Sequence, residues 1–370
     1  MVQMLHCLLR LGFELDHICL ATHKHPFDDS SYPAEMKERI SIRSIQVDTT
    51  VKPGQAFKSL FSRKSFNISR FDDSKAHEAL EKLLLKNTYD VVLLESLYST
   101  PYLHTIRKYS NAKVVLRSHN VEHLLWQQLS ANCKPGWRKW YLKKLSRDLR
   151  AYELNILQKV DSIFSITKQD MEAVKNMGVS TRNCVIPVAL GQTERNVNDT
   201  NPSIFFIGSM NWHPNYEAAN HLVNKIFPEV RKQIPQVELH LAGSYMGTHF
   251  PSDSNMGITN HGFAEDLHDF MQSNGILVLP IKSGSGVRVK LLEAMALGVP
   301  VVSSAIGALG ISENSGILLS SNDNEMIEQI KSLIHSPVMR EQIGKNAWEY
   351  VSKNLSIDSV SQMIADEFNS

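Results

Sequence analysis

The chain has 370 residues, 42% of them apolar, with Lys+Arg 39 against Asp+Glu 38. That length supports two domains with full cores, and the balanced charge lacks the basic excess that a nucleic-acid partner requires. Cys7, Cys19, Cys133 and Cys184 form no Cys-x-x-Cys pair or zinc spacing, no apolar run reaches the roughly 20 residues of a membrane span, and no signal peptide is evident. Together these fit a cytoplasmic chain with reduced thiols.

The first segment, Met1–Phe13, has helical spacing through Val2, Leu5, Leu8, Leu9 and Phe13. A doubly wound domain normally opens with a strand and a glycine turn. Neither precedes this helix, so the N-terminal domain is read as lacking its first strand. The chain is accordingly read as a shortened form of a longer protein, with Met1 an internal methionine. Strands are then expected at His17–Thr22, Tyr89–Glu95, Lys113–Ser118, Ser162–Ile166, Asn183–Pro187, Ser203–Ile207, Val237–Ala242, Ile276–Pro280 and Val299–Ser303. Amphipathic helices, as at Ser74–Asn87 and Asn215–Ile234, lie between most of them. This alternation predicts βαβ units and parallel sheets. Gly191–Pro202 is polar, turn-rich and without apolar periodicity, and reads as an interdomain linker.

Residues 278–302, VLPIKSGSGVRVKLLEAMALGVPVV, carry the most chemistry. A strand enters a Ser/Gly loop, the loop opens a helix, and a second strand follows. Backbone N–H groups of the loop and the positive helix end favour a phosphate. Arg288 and Lys290 strengthen that reading, although a solvated helix face is the plainer alternative for both. Glu293, one turn further in, is suited to accepting hydrogen bonds from sugar hydroxyls. Phosphate plus hydroxyls points to a nucleotide or nucleotide-sugar.

With residues 204–220 (IFFIGSMNWHPNYEAAN) and the run from Gly262 through Ile311 added, the chain resembles family 4 glycosyltransferases, retaining enzymes of the GT-B fold. VVLRSHNVEH (114–123) and SIFSITKQDMEAV (162–174) carry a weaker resemblance in the first half. The resemblance implies an α/β protein of two Rossmann-like doubly wound domains facing an interdomain cleft. The domains are expected at 1–195, acceptor-side, and 196–345, donor-binding, with helices of about 346–370 packing back on the first. It also implies that Glu293 holds the donor ribose and that His119 contacts the donor sugar. Gly208, Ser209, Ser285, Gly286 and Val287 are then donor-binding positions, and His119, Arg288 and Lys290 the catalytic set. Asn211, Trp212 and Glu95 are candidate cleft residues. No cofactor and no metal are expected.

Two features depart from the family. The first of its two glutamates is replaced by Ser285, and the turn Gly208-Ser209-Met210-Asn211-Trp212 carries no cation. Arg288 and Lys290 are the candidates to supply that charge to the leaving diphosphate. Retention is read as front-face attack by the acceptor hydroxyl, with no protein nucleophile.

Other readings remain beside this one. His119 follows a strand and can equally be a capping or core histidine. Residues 119–123, H-N-V-E-H, match an inverted zinc-peptidase motif, but the motif opens at a strand end and no third ligand is marked. Lys134–Arg150 holds seven basic residues against one acid, Asp148, with Trp137, Trp140 and Tyr141. It reads either as a core-packed helix with a solvated basic face or as a peripheral contact with an anionic inner membrane face. The expected function is hexosyl transfer from a nucleoside-diphosphate-sugar to a glycan or lipid-linked acceptor in cell-surface polysaccharide or glycoconjugate synthesis. The alternatives are a non-catalytic nucleotide-sugar-binding protein and a sugar epimerase of the same fold.

Overall fold

A computed structural model of the chain describes residues 1–50, 65–191, 195, 203–312 and 314–369. The expected linker lies outside the described residues except for Gly191 and Arg195. The chain divides into two compact units, Met1–Val188 with Ser361–Ser370, and Ala189–Val360.

The first unit opens with the helix Val2–Arg10, followed by β1 (Leu15–Ala21) and β2 (Ile40–Gln46). These two strands pair in parallel as a sheet of their own. A second parallel sheet runs in chain order through β3 (Val91–Glu95), β4 (Lys113–Ser118), β5 (Ser162–Ser165) and β6 (Arg182–Val185). The unit's strands are thus split between two sheets. Asp16 of β1 links them by accepting from the Tyr89 hydroxyl at 2.6 Å, just before β3. The inner strands β4 and β5 are buried throughout except at Lys113, with Val114, Val115, Leu116, Ile163 and Phe164 as their apolar centres. Leu94, Ile106, Leu116, Leu149, Leu157 and Ile163 form their core. The last helix, Ile357–Asn369, reaches this unit through Glu367, which accepts from Ser162 and pairs with Arg182.

The second unit is one six-stranded parallel sheet. In chain order its strands are β7 (Ile204–Ile207), β8 (Leu239–Ala242), β9 (Ile258–Asn260), β10 (Ile276–Leu279), β11 (Val301–Ser304) and β12 (Leu318–Ser320). In space they lie as β12-β11-β10-β7-β8-β9. This is the doubly wound order, and its direction reverses between β7 and β10. Every residue of IFFI in β7 and ILVL in β10 is buried. The loops leaving their carboxyl ends therefore flank the crevice in which such sheets bind ligands.

All nine expected strands are present, with ends displaced by a residue or two. Three more appear. In β2 the apolar alternation changes phase at Ser44–Ile45, and β9 and β12 are only three residues each. The expected helix Asn215–Ile234 is a continuous run of helix His213–His221, a π turn Leu222–Ile226 and helix Phe227–Gln233.

The turns after β7 and β8 press together. Gly243 has φ of +133°, and a Cβ there would lie 2.1 Å from the Gly208 carbonyl oxygen. Backbone strain and a backbone collision both oppose any side chain. Gly243→Ala should therefore lower the stability of the second unit by about 3 kcal/mol, read as a fall in its urea midpoint at unchanged slope.

Candidate functional site

The β10 loop and the helix after it, Val289–Ala296, form one side of the switch point. Gly284 and Gly286 turn the loop with φ of +107° and +77°, a region that non-glycine residues rarely enter. The N-cap residue, Arg288, makes no side-chain cap bond. Its guanidinium folds back instead, Nη1 donating to the Ser285 carbonyl at 2.8 Å and Nη2 to that of Ser283 at 3.4 Å. Nε is buried with no partner, and burial draws the group below its usual pKa. Ser283 is tied in turn to Glu217 at 2.9 Å, so the loop is held at both ends.

Lys290 points the other way, into the sheet. Nζ donates to the Ile207 carbonyl at 2.6 Å and to Asn215 Oδ1 at 3.1 Å, and lies 4.3 Å from the centre of the Phe206 ring. Asn215 also donates to the Ser209 carbonyl, fixing the turn that carries Gly208 and Ser209. Gly208 is bare because a Cβ would stand 2.9 Å from Asn215 and 3.0 Å from Nζ. Among the described residues no carboxylate pairs with this amine. Burial, with the nearby Arg288 charge, pushes its pKa down to about 7.

Glu293 is half-buried one turn on, and among the described residues its carboxylate has no hydrogen-bond or ion-pair partner. Burial raises its pKa. A carboxylate accepts hydrogen bonds from hydroxyl donors. Val287 is half-buried in the loop, and Asn211 and Trp212 are exposed on the β7 turn. Tyr245 and Phe263, 59% and 73% exposed, follow β8 and β9 at the same end of the sheet. Tyr245 sits in the left-handed region at φ +61°. Asn215, Tyr245 and Phe263 were not singled out from the sequence. The glycines before the two aromatics (Gly243, Gly262) were the available signal.

His119 and Glu95 come together in the first unit, at the carboxyl ends of β4 and β3. His119 Nε2 lies 2.6 Å from Glu95 Oε2, and Arg117 Nη1 donates to both Glu95 oxygens at 3.1 and 3.3 Å. Burial alone would lift the Glu95 carboxyl, but the His119 bond and the Arg117 charge outweigh it and hold the pKa down. The carboxylate keeps a proton on Nε2, so Nδ1 is the nitrogen left to meet a ligand. Ser96, next in the chain, is held at φ +86°.

The two histidines of H-N-V-E-H do not converge. The helix begins only at Glu122. His123 Nδ1 turns to the buried Glu153 at 2.7 Å, and Glu153 also accepts the N–H groups of Glu122 and His123. A distant carboxylate thus caps the helix. Among the described residues no cluster of three metal-ligating side chains occurs.

Residues 201–336, most of the second unit, match the family model described as glycosyl transferases group 1. The chain is 23% identical over 377 residues to an uncharacterized 44.6 kDa protein in the cps region of Klebsiella pneumoniae, covering 98% of this chain and 93% of the relative. Sucrose-phosphate synthase from Thermosynechococcus elongatus superposes with a TM-score of 0.69 at 17% identity, over 99% of this chain and 91% of that one. Anabaena Alr3699/HepE in complex with UDP and glucose gives 0.66 at 12%, over 99% and 95%. A trehalose-6-phosphate structure from E. coli bound with UDP-2-fluoro glucose gives 0.67 at 12%, over 99% and 94%. The fold is therefore GT-B, with two Rossmann-like domains.

Two outcomes follow from the geometry. The unfolded chain keeps Lys290 charged up to about pH 10, whereas the folded chain releases its proton near 7. The cost of the buried charge is full below about pH 7 and declines as pH rises toward about 10. Lys290→Met should therefore gain stability over the wild type as pH falls through that window, seen in denaturant titrations at both ends. Glu153→Ala should destabilise the first unit by about 3 kcal/mol, because it leaves buried N–H donors and His123 without their acceptor. Loss of the His123 histidine-ring shift in NMR would accompany it.

Proposed function

We propose that the chain transfers a hexosyl group from a nucleoside-diphosphate-sugar to a glycan or lipid-linked acceptor, with retention, in cell-surface polysaccharide or glycoconjugate synthesis. The observation that carries this reading is the buried Lys290 amine, with no carboxylate beside it among the described residues, at a helix N-terminus without a side-chain cap on a doubly wound switch point. A cation buried without a counter-charge is unfavourable unless an anion completes it. A diphosphate does so and restores the proton to the amine.

In this reading Lys290, Arg288 and the backbone N–H groups of Gly208, Ser209, Ser285, Gly286 and Val287 hold the diphosphate. They stabilise the charge that grows as it leaves. Glu293 accepts the ribose hydroxyls, and Asn211 and Trp212 line the donor. His119, steadied by Glu95, is assigned to the sugar. The acceptor oxygen forms its bond to the anomeric carbon on the face from which the phosphate departs, and the phosphate oxygen takes the acceptor proton. The side chains supply the positive charge, so the proposal assigns no metal role. The named UDP and UDP-sugar complexes among the structural neighbours support a nucleotide-sugar donor, and the cps-region relative supports a polysaccharide setting. Ser285 in place of a carboxylate and the missing first strand are the features that favour a non-catalytic binder. In that case nucleotide binds but no sugar is turned over.

Calorimetric titration of UDP and GDP tests the site. One nucleotide should bind, and Glu293→Ala should weaken it by about tenfold to a hundredfold, the loss of hydrogen bonds to a charged acceptor. If the folded chain takes up neither nucleotide, the donor assignment is wrong.

A further inference from the structure

The helix Trp137–Leu157 uses one face for the core, through Leu145, Leu149, Ile156 and Leu157. On its other face the residues at 140, 143, 147 and 150 are exposed, and among the described residues none of them pairs with another element. Trp140, Lys143, Arg147 and Arg150 are spaced three and four residues apart, so they form a single stripe, and all four are exposed. Trp137 and Trp140 are 80% and 59% exposed. Arg138 adds a further exposed cation in the first turn. The only acid from 134 to 150, Asp148, is buried and shared between Lys144 and Arg147. The stripe therefore projects positive charge that the helix itself does not neutralise.

We propose that this stripe docks the chain on an anionic phospholipid surface, with Trp137 and Trp140 entering the headgroup boundary while Lys143, Arg147 and Arg150 lie over the phosphates. Each part of the stripe fits that occupant. An indole has an apolar body and one polar N–H, which suits the boundary between water and acyl chains. Lys and Arg stems extend along apolar surface while their heads remain with the anions. Charge alone would suit any polyanion, but two exposed tryptophans at the end of a cationic stripe suit a surface with an apolar interior. The proposal is independent of the donor site: it concerns the first unit, and nucleotide binding does not read it.

Sedimentation with phosphatidylglycerol vesicles, compared with phosphatidylcholine vesicles, tests it at low salt. The full chain should sediment with the first and not the second, with a blue shift of tryptophan emission. Lys143→Glu/Arg147→Glu/Arg150→Glu should weaken binding by roughly a hundredfold or more. Trp137→Ala/Trp140→Ala should weaken it and remove the blue shift while leaving circular dichroism unchanged, since both side chains are exposed. Failure to sediment with phosphatidylglycerol overturns the proposal, and so does equal sedimentation with both lipids. Tight binding to an RNA oligonucleotide with no emission shift on vesicles would make the stripe a nucleic-acid surface and would also overturn it.

Discussion

The second unit is organised around the hydrogen bond from the Lys290 amine to the Ile207 carbonyl. It crosses the point where the order of the sheet reverses, joining the helix after β10 to the end of β7. Asn215 extends it to the Ser209 carbonyl, so one charged group sets both lips of the crevice. The glycines follow from this arrangement. Gly208 must be bare for the amine to reach the strand end, and Gly243 must be bare for the β8 turn to lie against Gly208. Among the described residues, the group that fixes the local backbone also has no carboxylate partner, its bonds going to a carbonyl and an amide oxygen.

The first unit treats its buried charges differently. Glu95 is matched by Arg117 and His119, and Glu153 by His123 and two backbone donors. These carboxylates are satisfied internally and call for no ligand. What the unit presents outward is the second nitrogen of His119, aimed by Glu95, beside a strained Ser96. Positioning is the property offered here, in contrast to the electrostatic deficit of the other unit.

The sequence made some of this legible and hid the rest for physical reasons. IFFI and ILVL are apolar on both faces, so their burial could be read directly. β2 escaped because its alternation shifts phase, and β9 and β12 because three residues hold no period. The Ser/Gly loop announced itself through Gly284 and Gly286. The partners of Lys290 did not, since one is a backbone oxygen and the other lies 75 residues away in the chain. From the sequence Arg288 and Lys290 were both candidates for the phosphate, with the orientation of Arg288 the less certain. Two residues apart on a helix they cannot face the same way, and one clamps the loop while the other enters the sheet. The motif H-N-V-E-H suggested two converging histidines because Glu95 and Glu153, which draw them apart, are not local to it.

The separate β1–β2 sheet has a consequence for the order in which the chain is assembled. A sheet of two strands is marginal by itself, because each strand has a neighbour on one side only. β3 to β6 need no such support, since each adds to a growing buried sheet. The β1–β2 layer therefore condenses on a scaffold that is already formed, tied to it by Asp16–Tyr89, while Leu5, Leu9 and Met36 pack within the layer itself. It is also the first part of the unit to open when the native state fluctuates.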